Sequence, residues 1–151
     1  MVTEGEEADD ALGIAQTQLG PLESVIITQD KDLDMIPGLK YNFVEDETYS
    51  VTPEQGHYNF CMQLLTGDAT DNIPGLPRIG KAKAKAALEG IETEDLMAAV
   101  MQMYQAHAPT EDWYEYLREQ GKLLWIRQEP GQDWEPPEIP AEMEISDVSM
   151  Y

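Results

Sequence analysis

Between Asn72 and Gly80 the chain places Pro74, Gly75, Pro77 and Gly80, two prolines and two glycines in nine positions. No helix or central strand runs through such a stretch. Proline fixes φ and lacks the N–H donor, and glycine raises the entropic cost of regular structure. Helix-forming sequence flanks it on both sides, so the pattern predicts a helix, a tight connection and a second helix. The first runs over residues 53–65. It opens on Thr52-Pro53-Glu54-Gln55, an N-cap, a first-turn proline and an early acid, and Gly67 breaks it. The second is the alanine-rich segment 81–88. Ile73, Leu76 and Ile79 recur every third residue and are expected to pin the connection to a core. Gly75 and Gly80 permit left-handed dihedrals or close backbone approach.

The remaining elements follow from periodicity. Residues 8–19 predict a helix with Ala8, Leu12 and Ala15 on one apolar stripe, ended by Gly20-Pro21. Val25-Ile26-Ile27 predicts a short buried strand. Residues 32–36 start a short helix that Pro37-Gly38 breaks, and residues 40–51 alternate as a hairpin turning at Glu45-Asp46-Glu47. Two further helices are expected over 94–107 and 111–124, the second with Trp113, Tyr116, Leu117 and Leu124 as core. From residue 128 on, four prolines among acids predict an extended or disordered tail. The expected fold class is α/β and mostly helical. It divides into a partial core (1–50), a helical region (51–127) and an acidic proline-rich tail (128–151). No apolar run reaches 18 residues, so no membrane span is expected, and no charged-then-apolar leader marks export. Cys61 is the single cysteine and reads as a buried helix residue, compatible with a reducing, cytoplasmic setting.

Thirty acids against nine bases give a formal net charge of −21. A nucleic-acid backbone is repelled by such a molecule taken as a whole. The bases are unevenly placed, however. Arg78, Lys81, Lys83 and Lys85 put four of the nine into eight positions, whereas the tail after Arg127 holds seven acids and no base. One attractive strip on a repulsive surface predicts weak, salt-sensitive binding to phosphate.

Three acidic groups stand out: Glu7, Asp9 and Asp10 at a helix start, Asp30 and Asp32 past a strand, and Asp68 and Asp71 at a helix end. Brought together, seven carboxylates repel unless a cation balances them. Hard oxygen donors suit magnesium or manganese, and two such ions about 4 Å apart activate water and stabilise a leaving phosphodiester oxygen. The plainer alternative for Glu7, Asp9 and Asp10 is that they are first-turn acids facing a helix dipole. In the same way, the connection 72–80 is either a phosphate clamp or an ordinary helix–helix turn. As a clamp, it would aim the amides near Gly80, Lys81 and Ala82 outward at a helix start, with Lys81 and Lys83 adding charge.

Taken in order, Glu7-Ala8-Asp9-Asp10-Ala11-Leu12-Gly13, Thr28-Gln29-Asp30-Lys31-Asp32-Leu33 and residues 65–84 resemble the 5'-nuclease superfamily. That group holds phage 5'-3' exonucleases, the 5'-nuclease domains of bacterial DNA polymerase I and flap endonucleases. The resemblance covers roughly residues 5 to 90, and 113–127 looks like the C-terminal helix region of phage members. It implies a partial PIN-like nuclease core with a helix-hairpin-helix over residues 72–83, in which Gly75, Arg78, Gly80, Lys81 and Lys83 contact DNA. Glu7, Asp9 and Asp10 would serve one metal, and Asp30, Asp32, Asp68 and Asp71 the other, as catalytic carboxylates. Two Mg2+ or Mn2+ ions, and potassium in the hairpin, are the implied cofactors. DNA with 5' ends or flaps is the implied partner, in a phage-infected or lysogenic bacterial cell. Superfamily members carry a further aspartate strand, a second acidic site and an arch upstream of the first motif. Here six residues precede Glu7, so the expectation is a C-terminal portion: a split half completed by an N-terminal nuclease chain, a truncation or a remnant. Its first β-strand would then lack neighbours. Two other functions remain open, a non-catalytic DNA-binding protein and an acidic interaction protein.

Overall fold

In the computed structural model, the described residues are 8–20, 23–28, 31–128, 130–131 and 133–139. They fall into two units, Met1–Phe60 with Trp125–Asp133, and Cys61–Leu124 with Trp134–Tyr151. The first unit contains α1 (Ala8–Leu19), β1 (Val25–Ile27), a 3-10 turn (Lys31–Met35), β2 (Gly38–Asn42), β3 (Glu47–Val51) and the start of α2 (Pro53–Thr66). β1 pairs parallel with β2, Ile26 opposite Lys40, and β2 pairs antiparallel with β3, Lys40 opposite Tyr49. The first strand therefore has a neighbour, contrary to expectation. Nor is it buried on both faces: Ile26 is buried while Val25 and Ile27 are exposed.

The hairpin turns where Asn42 Oδ1 accepts the amides of Val44 and Glu45, at 3.0 and 3.1 Å, and Asp46 takes φ +51°. α1 has the expected length, but its buried side differs from the expected stripe. Leu12 is 40% exposed, whereas Gln16 is buried. Gly13 lies so near the strap after α5 that a Cβ would sit 2.5 Å from the Arg127 carbonyl oxygen. α1 thus packs through Gly13, Ile14 and Gln16, two of which an apolar count overlooks.

Gln16 ties α1 to the sheet. Its Nε2 donates to the carbonyls of Leu39 (2.9 Å) and Ser24 (3.2 Å), and its Oε1 accepts from Lys40 Nζ at 2.7 Å. Lys40 is fully buried and also donates to the Ile36 carbonyl at 2.7 Å. α2 opens on the expected cap, and the cap is reciprocal: Gln55 N donates to Thr52 Oγ1 (3.1 Å) and Thr52 N to Gln55 Oε1 (2.9 Å), a capping box that satisfies two otherwise orphaned amides.

The second unit is helical: the rest of α2, α3 (Lys81–Leu88), a 3-10 turn (Thr93–Asp95), α4 (Leu96–His107) and α5 (Trp113–Leu124). Its core holds Leu64, Leu65, Leu76, Leu88, Val100, Met101, Tyr104 and Leu117, and the Tyr104 hydroxyl donates to the Leu64 carbonyl. Of the core expected on α5, Leu117 and Leu124 are buried, while Trp113 and Tyr116 are only half-buried. The buried side continues instead through Gln120 and Gly121. Residues 134–139 run without regular structure along α5. A Cβ on Gly121 would strike the Trp134 ring, Tyr114 Oη donates to the Pro137 carbonyl at 3.0 Å, and Glu135 lies 3.4 Å from Arg118. Cys61 is buried, and burial pushes its thiol up to about 12, which keeps it protonated and unreactive. Among the described residues no helix is long and apolar enough to cross a membrane.

Candidate functional site

The connection between α2 and α3 is built from backbone hydrogen bonds. Gly67 takes φ +74° and its amide closes α2 on the Gln63 carbonyl at 2.7 Å, a left-handed helix end. Asp68 and Ile73 then exchange two backbone bonds of 2.8 Å each, which makes residues 69–72 the tip of a small hairpin. Asp68 Oδ1 fastens that tip by accepting the amides of Thr70 (3.0 Å) and Asp71 (3.3 Å). Asp71 itself is exposed.

Past the tip the chain doubles back against its own start. Gly75 takes φ +61°, and a Cβ there would lie 2.4 Å from Gly67 N, so only glycine fits. α5 grips the Gly75 residue from both sides. Its amide donates to Gln120 Oε1 at 2.8 Å and its carbonyl accepts from Tyr116 Oη at 2.5 Å. Leu76 N bonds to the Leu65 carbonyl at 3.1 Å. Ile73, Leu76 and Ile79 are buried as expected.

Gly80 departs from expectation. Its φ of −88° and ψ of −177° are open to any residue, and the positive φ in this turn falls on Arg78, at +63°. A Cβ at Gly80 would meet nothing within 4 Å, so the space before α3 is open. No side chain caps the helix. The first-turn amides of Lys81, Ala82 and Lys83 have no acceptor within the helix and carry the positive end of its dipole. Arg78, Lys81, Lys83 and Lys85 are all exposed. Among the described residues none of the four forms an ion pair.

The acidic set is described in part. Glu7 and Asp30 lie outside the described residues, as does the side chain of Asp32. Asp10 Oδ1 accepts the Arg127 amide at 2.7 Å, so it secures the strap after α5. Asp9 stands beside it in the first turn of α1. Among the described residues no three His, Cys, Asp or Glu side chains gather into a metal-holding group. The donors are all carboxylates, the chemistry a hard divalent ion prefers.

Sequence reasoning gave Tyr116 only as α5 core and missed Gln120; both hold Gly75. The signal was there: Gln120 falls three residues after Leu117 and four before Leu124, on the buried stripe of α5, and a buried amide side chain requires partners. It also missed Asp34, which accepts from Tyr49 Oη at 2.6 Å. Burial, then this bond, pushes the tyrosine's pKa up.

No family model matches the chain. Over 101 residues it is 34% identical to DNA polymerase I of Rhizobium leguminosarum, which covers 58% of this chain and 10% of that protein. It is 32% identical over 95 residues to the thermostable DNA polymerase I of Thermus aquaticus, covering 56% and 11%. It is 33% identical over 90 residues to a 5'-3' exonuclease of Buchnera aphidicola, covering 50% and 30%. The chain thus spans about a tenth of the polymerases and under a third of the exonuclease. This is partial, distant homology to the DNA polymerase I and 5'-3' exonuclease group, at the level of the superfamily.

Proposed function

We propose that residues 67–83 form a helix-hairpin-helix clamp for the DNA phosphate backbone, serving a divalent-metal-dependent 5'-3' exonuclease or flap endonuclease. The observation that carries this reading is the tied-down loop that delivers free-standing amides and Arg78, Lys81 and Lys83 into open space. A phosphate there meets helix-terminal N–H groups and two or three cations, which bind backbone and read no base sequence. Because the loop is held by its own backbone and by Gln120 and Tyr116, the clamp is ordered before DNA arrives, which lowers the entropy cost of docking. A DNA backbone would gain little from the rest of the surface, where acids dominate, so binding is confined to this strip.

The resemblance assigns Glu7, Asp9 and Asp10 to one Mg2+ or Mn2+ ion and Asp30, Asp32, Asp68 and Asp71 to a second. When bound, such ions supply an activated water and charge stabilisation at the phosphodiester. This chain's part is to hold the duplex behind the cut. Asp68 shapes the hairpin tip through one oxygen and leaves its carboxylate half-exposed beside Asp71. The group's cleavage chemistry is proposed for this chain only together with the remainder of the nuclease core, since the likeness reaches under a third of the exonuclease. DNA binding without cleavage is the second reading. It is favoured by Asp10 and Asp68, each of which uses an oxygen to hold backbone amides.

The test is fluorescence anisotropy with duplex DNA bearing a 5' overhang. The Arg78→Ala/Lys81→Ala/Lys83→Ala variant is expected to bind roughly tenfold or more weakly, with a shallower dependence on salt. Unchanged binding would sink the clamp. With the chain completed by the remainder of the nuclease core, magnesium-dependent release of 5' nucleotides, lost in Asp68→Asn with binding retained, separates the first reading from the second.

A further inference from the structure

The small sheet has one covered face and one open face. Residues in register across β1 and β2 share a side, so Val25, Ile27, Leu39 and Tyr41 stand together, with Phe43 two positions beyond. The opposite side carries Ile26, Lys40 and Val51, all buried, and there Gln16 of α1 bonds Lys40. On the first side Val25 is 49% exposed, Ile27 65% and Phe43 54%, with Val44 at 65% in the turn beside them. Parallel strand pairs are ordinarily covered on both faces, by helices. A contiguous apolar strip of this kind marks a contact surface.

We propose that this face receives a basic amphipathic helix of a partner chain, laid across β1 and β2. Charge selects that occupant. Glu23 lies ahead of β1 and Glu45 and Asp46 follow β2, all exposed, so acids flank the apolar strip at both strand ends. A helix with leucine-like residues on one side and lysines or arginines beside them matches both features. A second copy of the chain, at −21, is repelled. The edge of β1 is only three residues long and offers little to strand addition. The inference stands apart from the DNA clamp, which belongs to the other unit.

The probe is a fluorescein-labelled leucine–lysine peptide of about 18 residues, roughly five helical turns, titrated with the full chain. A scrambled peptide of the same composition is the control. The amphipathic peptide is expected to bind roughly tenfold tighter than the scrambled one. Ile27→Ser/Phe43→Ser is expected to remove that difference. Both positions are exposed, so the variant folds, as circular dichroism checks. Equal binding of the two peptides overturns the proposal, since charge alone then suffices. So does an unaffected double variant. Sedimentation showing a dimer that Ile27→Ser/Phe43→Ser dissociates also overturns it, because the face is then covered by a second copy.

Discussion

Lys40 and the lysines of α3 carry the same side chain into opposite settings. In the first unit Lys40 is fully buried and held by Gln16 Oε1 and the Ile36 carbonyl. Burial lowers its pKa to about 8, against a smaller upward pull from Asp34. In the second unit Lys81 and Lys83 are exposed at an uncapped helix start. The buried lysine joins α1 to β2 and cannot reach a ligand. The exposed pair contributes little to folding and is positioned for a phosphate. One region therefore uses a lysine to hold itself together, and the other is held by apolar contacts, backbone bonds and the uncharged Gln120 and Tyr116, so that its charged side chains face outward.

The sharpest way to break this contrast is Lys40→Ala. It opens a cavity and strands two buried acceptors, and is expected to cost about 4 kcal/mol in urea unfolding while leaving DNA affinity unchanged. A loss under about 1 kcal/mol would mean that the lysine is not structural. Lys40→Met, which keeps length and removes charge, isolates the titration. With the folded pKa near 8 and the unfolded near 10.5, the unfolded state holds more protons between those values. Stability therefore rises with pH across that window, the gain being complete above 10.5 and lost as pH falls through 8. Relative to Lys40→Met, the native protein should gain up to about 3 kcal/mol between pH 8 and 10.5. A constant difference would place the lysine in a wetter site.

In the second unit the corresponding test is Gly75→Ala. A Cβ meets the Gly67 backbone at a positive φ, so the two strands of the loop must part, at a cost of about 3 kcal/mol. Unlike Lys40→Ala, this change should also weaken DNA binding, because the loop positions the α3 amides. A smaller effect, about 1 kcal/mol, is expected for Thr52→Ala, which removes the side-chain half of the α2 capping box. Thermal melts would detect it.

These sites differ in how far the sequence announced them. The α2 cap and the break at residues 67–80 are local: Thr52, Pro53, Gly67 and Pro74 act through dihedrals and hydrogen bonds to near neighbours, so short-range pattern reveals them, whereas the partners of Gly75 lie 41 and 45 residues away on α5. Lys40 and Gln16 were invisible because each finds a buried partner in the other, 24 residues away, and a lysine in an alternating hairpin reads as solvent-facing. In the last turn before α3 the left-handed residue is Arg78 and not Gly80, which glycine content does not reveal. The clamp's charge was legible and its scaffold on α5 was not. The acidic set was legible as composition, and the backbone amides that Asp10 and Asp68 hold were not.

The smallest effect decides most about the exposed side of the contrast. Lys83→Ala should change folding stability by less than about 0.5 kcal/mol, as a surface substitution. If its ammonium meets a phosphate, it releases one counterion on binding, so the log–log slope of affinity against salt should flatten by about 0.9, for duplexes of any sequence. Lys122, half-exposed on α5 and paired at 3.8 Å with Glu135, serves as the control: Lys122→Ala should leave the slope unchanged. Equal flattening in both variants would mean that DNA responds to net charge alone. The open start of α3 would then be an ordinary helix end, with no more claim on phosphate than any other lysine-bearing surface of this acidic molecule.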